Sequence, residues 1–214
     1  MPTALVCTGS KMSTPISMID GNRVKERPDD LVRIVVAIDP AATDVPGSND
    51  TGIVVVGVDR DDHYYILADE TMSGHPSAWA RRSLDLYHTW RADRIVAEVN
   101  NGGDMIEALL TAVAKEREEF AYRKVHASRG KVVRAEPVAA IYEQNRAHHV
   151  GQFPELEEQM FLITRDFDAK VAGFSPDRVD ALVWAVTELS EGAAIPLAEA
   201  VGVSDGGSYW RDNH

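Results

Sequence analysis

The sequence predicts an α/β fold, a mixed five-stranded sheet with helices on both faces. Three observations carry that prediction. Val32 to Ile38 and Gly52 to Val58 are β-branched and almost wholly apolar, the pattern of strands covered on both sides. His63 to Ala68 follows across the short turn Asp61-Asp62, so the first three strands read as an antiparallel meander. Beyond it, helical and extended stretches alternate, which sets helices against a sheet.

The elements follow in order. Residues 1 to about 30 mix Thr, Ser, Gly and Pro with scattered apolar residues and keep no period, so they read as a linker or extension, partly flexible. Order begins near Leu31. A polar loop spans Pro40 to Asn49. Pro76 to Trp90 is helical, with Trp79, Ser83, Leu86 and Trp90 on one stripe. Arg94 to Val99 is the fourth strand, Asp104 to Glu119 a helix, and Tyr122 to Ala127 the fifth strand. Val132 to Arg146 reads as helix, with Pro137 marking a start or a break, and Phe153 to Ile163 as a shorter amphipathic helix. Ser175-Pro176-Asp177 opens the last helix, with Ser as N-cap, Pro in the first position and an acid in the first turn. It runs to Glu191 and stops at Gly192. The domain is therefore 31–191, preceded by the extension 1–30 and followed by a polar tail, 192–214.

Bulk properties bound the function. A chain of 214 residues with 44% hydrophobic content supports one globular core. No apolar run approaches the ~20 residues of a membrane span, and the first residues lack the layout of a signal peptide. Cys7 is the single cysteine, which excludes an internal disulfide and a thiolate metal cage and suits a reducing cytoplasm. A net charge of −12 argues against a protein that coats nucleic acid by charge alone. It leaves room for an enzyme that meets nucleic acid through metal ions held by clustered carboxylates. Gly9-Ser10-Lys11 does not extend to the full phosphate-loop pattern GxxxxGK[ST], here or elsewhere.

Three acids stand out by context. Asp39 ends the first apolar strand, Glu98 lies near the end of the fourth, and Asp180 sits one turn into the last helix. A carboxylate among Val, Ile and Ala is costly unless it is paired or binds metal. Acids at element ends can converge on the carboxyl edge of a sheet, where two hard divalent cations would serve phosphodiester hydrolysis. A plainer reading fits the same residues: Asp39 as a turn acid, Asp180 as favourable charge at a helix start, Glu98 as the partner of an arginine. Spacing alone does not choose between them.

Five segments, in chain order, resemble the nuclease domain of phage terminase large subunits. They are VRIVVAIDPA (Val32 to Ala41), SNDTGIVVVG (Ser48 to Gly57), ADRIVAEVNNGGDMI (Ala92 to Ile106), the stretch Ser128 to Met160, and SPDRVDALVWA (Ser175 to Ala185). The resemblance runs from about Val24 to Leu189. It implies a ribonuclease H-like fold and a packaging endonuclease that cuts concatemeric double-stranded viral DNA. It also implies that Asp39, Glu98 and Asp180 are catalytic metal ligands for Mg²⁺ or Mn²⁺, two ions in all. The implied partners are DNA, a terminase ATPase domain, a small terminase subunit and a portal, in the cytoplasm of an infected or prophage-carrying bacterium. The ATPase half, with its phosphate loop, is not in the sequence, so the chain reads as an excised C-terminal domain.

Further residues carry two readings each. Asp50, before the second strand, is a turn acid or a support behind the metal ligands. Asp177 shares a helix face with Asp180 and is a supporting acid or simply first-turn charge. Arg123, Lys124, Arg129, Lys131 and Arg134 form a basic run that no acid interrupts, either a solvated face or a DNA contact. Lys131 could also stabilise charge on the scissile phosphate. His148-His149 reads as loop or strand-edge histidine rather than a metal pair. Trp79, Trp90 and Trp184 read as core, and Trp210 as part of the tail. The competing functions are another ribonuclease H-like nuclease (a junction resolvase or an RNA–DNA hybrid nuclease), an actin-like nucleotide domain, which would need a second lobe, and a non-catalytic portal-docking module.

Overall fold

β1 (Arg33–Asp39) is buried along its middle, and the sheet extends outward from it on both sides. The computed structural model describes residues 16–40, 50–99, 104–115, 118–126, 131–163 and 175–192. β2 (Gly52–Val58), buried throughout, pairs antiparallel with β1, and β3 (Tyr64–Asp69) pairs antiparallel with β2. The turn between β2 and β3 is fixed by Asp59, whose carboxylate accepts from the backbone N–H of Asp61 and of His63, each at 2.9 Å. On the other side β4 (Arg94–Glu98) runs parallel to β1, and β5 (Tyr122–Val125) runs parallel to β4.

The described sheet has six strands, in the order β5-β4-β1-β2-β3-β6, one more than the sequence predicts. The addition, β6 (Ala147–His149), pairs parallel with β3. At three residues it is too short to show an alternating pattern. The reading of His148 and His149 as strand-edge residues agrees with this position.

Strand alternation divides the core in two. Val35 and Ala37 of β1 and Val96 of β4 face a layer with α1 (Ile16–Gly21), α4 (Lys131–Glu143), α5 (Pro154–Leu162) and α6 (Asp177–Gly192). Ile34, Val36, Ile38, Ile95 and Ala97 face the opposite layer, α2 (Pro76–Trp90) and α3 (Asp104–Val113). Helices thus cover both faces, as predicted. Among the described residues no helix is long and apolar enough to cross a membrane.

Three elements differ from the sequence reading. Structure begins before Leu31: Ile19 of α1 is 1% exposed, Val24 bridges to Val150, and Arg23 donates to Glu157 at 2.7 Å. Anchoring by side chains so distant in sequence leaves no local period to read. α3 ends at Val113 rather than Glu119, because Glu118 turns back to accept from the Lys115 N–H at 2.6 Å and binds Arg81 of α2. α4 passes through Pro137, which neither starts nor breaks it; the ring removes one ladder hydrogen bond. The tail 193–214, with Trp210, and residues 1–15 lie outside the described residues.

Candidate active site

The path of α6 across the sheet gathers the acids. Its first turn rests on β2, where the Asp177 carbonyl oxygen would lie 2.0 Å from a Cβ placed on Gly52. Two turns on, the Trp184 indole N–H donates to Glu98 Oε2 at 2.7 Å. One further turn brings Glu188 to Arg94 at 2.6 Å and Arg123 at 2.7 Å. The helix therefore runs antiparallel to β1, from the carboxyl edge of the β1–β4 pair to the opposite edge.

Asp39 and Glu98 both lie at that carboxyl edge. Ile38 pairs with Ala97 in the parallel ladder, so the next residue on each strand is one of these acids. Alternation turns Asp39 and Glu98 toward the face that α6 covers, the face of Ala37 and Val96. Gly52, the cross-strand partner of Asp39, touches α6 at Asp177 and Ala181. Asp180 lies one helical turn before Trp184, on the same side of α6. The structure thus brings Asp39, Glu98, Asp177 and Asp180 to one edge and one face.

Burial makes this grouping consequential. Glu98, Asp177 and Asp180 are 7%, 6% and 5% exposed, and ionised carboxylates so buried require compensation. Among the described residues Glu98 has two donors. Besides Trp184, the Arg134 guanidinium donates to Oε2 at 3.2 Å while lying 4.5 Å above the Trp184 ring. Among the described residues, no three His, Cys, Asp or Glu side chains stand close enough together to hold a metal ion. Glu98 is instead drawn toward Trp184 and Arg134.

A second buried ion pair holds the helix that carries Asp177 and Asp180. Arg178, between them, donates to Asp69 Oδ2 at 2.6 Å, and that carboxylate is 3% exposed. The Arg178 backbone N–H donates to Gln159 of α5 at 3.2 Å. Sequence reasoning missed this pair, although Asp69 closes β3 just as Asp39 closes β1 and invited the same question.

Residues 36–189 match the family model described as the terminase RNase H-like domain. The chain belongs to that family. The fold agrees with solved terminase structures. The human cytomegalovirus terminase nuclease domain, manganese-soaked and inhibitor-bound, aligns with TM-score 0.59 at 16% identity, covering 83% of this chain and 95% of that one. The P22 large terminase nuclease domain aligns with TM-score 0.58 at 12% identity, covering 86% and 96%. The large terminase nuclease of thermophilic phage G20c, with bound magnesium, aligns with TM-score 0.53 at 18% identity, covering 83% and 98%. No curated protein matches the chain in sequence.

In this terminase domain the described side chains of the basic run do not share one face. Adjacent residues of β5 point to opposite faces: Arg123 reaches Glu188 and Glu191 of α6, while Lys124 pairs with Glu107 of α3 at 3.0 Å. Arg134 is directed at Glu98. Lys131 opens α4, and Arg129 lies outside the described residues. Asp50 is half-buried, two residues ahead of Gly52.

Among the tryptophans, Trp79 and Trp184 are buried at 6% and 5% exposure, and Trp90 is partly buried with Arg27 over its ring. Trp184 combines core packing with a polar contact to the site, which the apolar stripe of its helix does not announce. His149 is fully buried between the Tyr142 hydroxyl at 2.8 Å and Glu157 at 2.9 Å, while His148 bonds the Asn22 carbonyl at 3.0 Å. Both nitrogens of His149 are thereby engaged within the fold.

Proposed function

We propose that this chain is a metal-dependent endonuclease that cuts concatemeric double-stranded viral DNA during genome packaging. The observation that carries the reading is the grouping of Asp39, Glu98, Asp177 and Asp180 at one sheet edge, within the span that matches the terminase RNase H-like family.

The donor set fits hard divalent cations, because every candidate ligand is a carboxylate oxygen and three of the four acids are buried. Asp39, Glu98 and Asp180 are the residues that would hold Mg²⁺ or Mn²⁺, two ions on this reading. When bound, such ions supply a hydroxide-like nucleophile and stabilise the leaving oxygen. The chain's own residues position the carboxylates. The β1–β4 ladder sets Asp39 beside Glu98, and the seat of α6 on Gly52 sets Asp180. Asp177 and Asp50 are the acids that would support these ligands, and Lys131, the first residue of α4, is the one that would meet charge on the scissile phosphate. The basic run Arg123, Lys124, Arg129, Lys131 and Arg134 would supply the DNA phosphate contacts, with Arg123 and Lys124 the members already paired within the fold.

The catalytic unit is residues 31–191, with 1–30 an extension that docks through α1 and 192–214 a tail. Its partners are duplex DNA, a terminase ATPase domain, a small terminase subunit and a portal, in the cytoplasm of an infected or prophage-carrying bacterium.

The test is cleavage of supercoiled plasmid and linear duplex in Mg²⁺, Mn²⁺ and EDTA, with folded Asp39→Ala and Asp180→Ala alongside. Metal-dependent nicking and linearisation that both variants lose is the expected result. Preference for a four-way junction or an RNA–DNA hybrid would redirect the assignment to another ribonuclease H-like nuclease. DNA binding without cleavage under any metal would favour a portal-docking module.

A further inference from the structure

Arg134 occupies an unusual position. Its side chain is 11% exposed, its guanidinium carbon lies 4.5 Å from the centre of the Trp184 ring, and it donates to Glu98, which is 7% exposed. Its Nε, also buried, has no hydrogen-bond partner among the described residues. Arg134 and Trp184 both use Oε2 of Glu98, so the guanidinium is only partly satisfied in a place where a buried donor is costly.

We propose that Arg134 is a built-in cation that holds and neutralises Glu98 while the site is without divalent metal, and that metal binding draws Glu98 away from it. The inference rests on the metal-dependent reading above. The physical basis is competition. A buried carboxylate needs a positive partner, and a guanidinium at 3.2 Å supplies one charge. A divalent ion supplies more charge to the same oxygens, and binding it carries the added cost of breaking the Arg134 contact. Arg134 therefore lowers metal affinity while protecting the fold of the metal-free site. Once released, the guanidinium is a free cation beside the cleavage site, suited to a DNA phosphate.

The test is isothermal titration of Mn²⁺ into wild type, Arg134→Gln and Arg134→Lys, with Asp39→Asn as the metal-site control. Loss of the charge removes one competing hydrogen bond to a charged group and is expected to tighten Mn²⁺ binding about tenfold, and the Lys variant is expected to stay near wild type. Arg134→Gln is also expected to melt earlier without metal and to recover with saturating Mn²⁺. An unchanged or weaker affinity in Arg134→Gln, while wild type binds and Asp39→Asn does not, would overturn the role of Arg134 and leave the metal site standing. Absence of Mn²⁺ binding in every protein would overturn the metal-dependent reading and this inference with it. Should Arg134→Gln fail to fold, the wild type decides by NMR with diamagnetic Mg²⁺. The Trp184 indole N–H and Arg134 Nε–H resonances are expected to move on saturation, and Mg²⁺ binding that leaves both in place sinks the idea.

Discussion

Gly52 stands opposite Asp39 in the β1–β2 ladder, and the Asp177 carbonyl fills the space that a side chain on Gly52 would need. A Cβ there would meet the carbonyl oxygen at 2.0 Å and its carbon at 2.6 Å, both backbone atoms that cannot rotate aside. Gly52→Ala must therefore lift the first turn of α6 away from the sheet edge. The expected cost is about 1–3 kcal/mol of stability, together with weaker Mn²⁺ binding, because Asp177 and Asp180 travel with the turn. Urea unfolding and calorimetry read the two effects separately. A variant matching wild type in both would show that close seating of α6 is not what aligns the acids.

The Asp69–Arg178 pair fixes the same turn from the β3 side. Asp69→Ala leaves a mostly buried guanidinium without its carboxylate, and breaking such a pair costs about 3–5 kcal/mol. Arg178→Met in the Asp69→Ala background removes the stranded charge, so the double variant is expected to be more stable than Asp69→Ala alone. Denaturant midpoints around this cycle give the coupling. Additive losses would mean that the pair does not act as a unit.

How much of this was legible in the sequence depended on range. β1, β2 and β4 announced themselves because strands buried on both faces keep unbroken β-branched runs. Asp39, Glu98 and Asp180 stood out because acids at the ends of apolar elements are conspicuous. The partners of those acids did not. Arg134 lies 36 residues from Glu98, and Trp184 lies 86 residues from it. In the sequence Arg134 is one of five evenly basic positions, and its contact with Glu98 sets it apart only once the chain is folded. α1 and β6 were hidden for a related reason: one is fastened through Arg23 and Val24, and the other is three residues long.

Acid should weaken the fold before it protonates ordinary surface carboxylates completely. The Arg81 hydrogen bonds outweigh burial and hold Glu118 at about 2, against an ordinary 4.5. Burial pushes Glu157 upward, but hydrogen bonds from His149, Arg23 and the Phe153 N–H together bring it to about 2. The folded values lie below the unfolded ones, so as pH falls the unfolded chain takes up protons first. The stability from these groups is full above about pH 4.5 and is lost progressively toward pH 2. Thermal midpoints measured from pH 6 to pH 2 are expected to drop through this window, and Glu118→Gln is expected to flatten part of the drop. A profile for Glu118→Gln parallel to wild type would remove Glu118 as a source.

The basic run makes the sharpest prediction about DNA. A single phosphate-binding strip would lose similar affinity on replacement of each member, and each true contact would reduce the salt slope by about 0.9. The fold argues for unequal effects. Arg123 is committed to Glu188 and Glu191, and Lys124 to Glu107 on the opposite face. Arg123→Ala and Lys124→Ala are therefore expected to leave the salt slope of DNA binding unchanged. Arg123→Ala should instead lower stability modestly, since Glu188 retains Arg94 at 2.6 Å. Lys131 differs because it opens α4 one turn before Arg134, the residue that reaches Glu98. Lys131→Ala is expected to slow plasmid cleavage on the order of 10²-fold with an unaltered melting temperature. Equal salt slopes lost at Arg123 and Lys124 would restore the strip, and unslowed cleavage in Lys131→Ala would remove that residue from the chemistry.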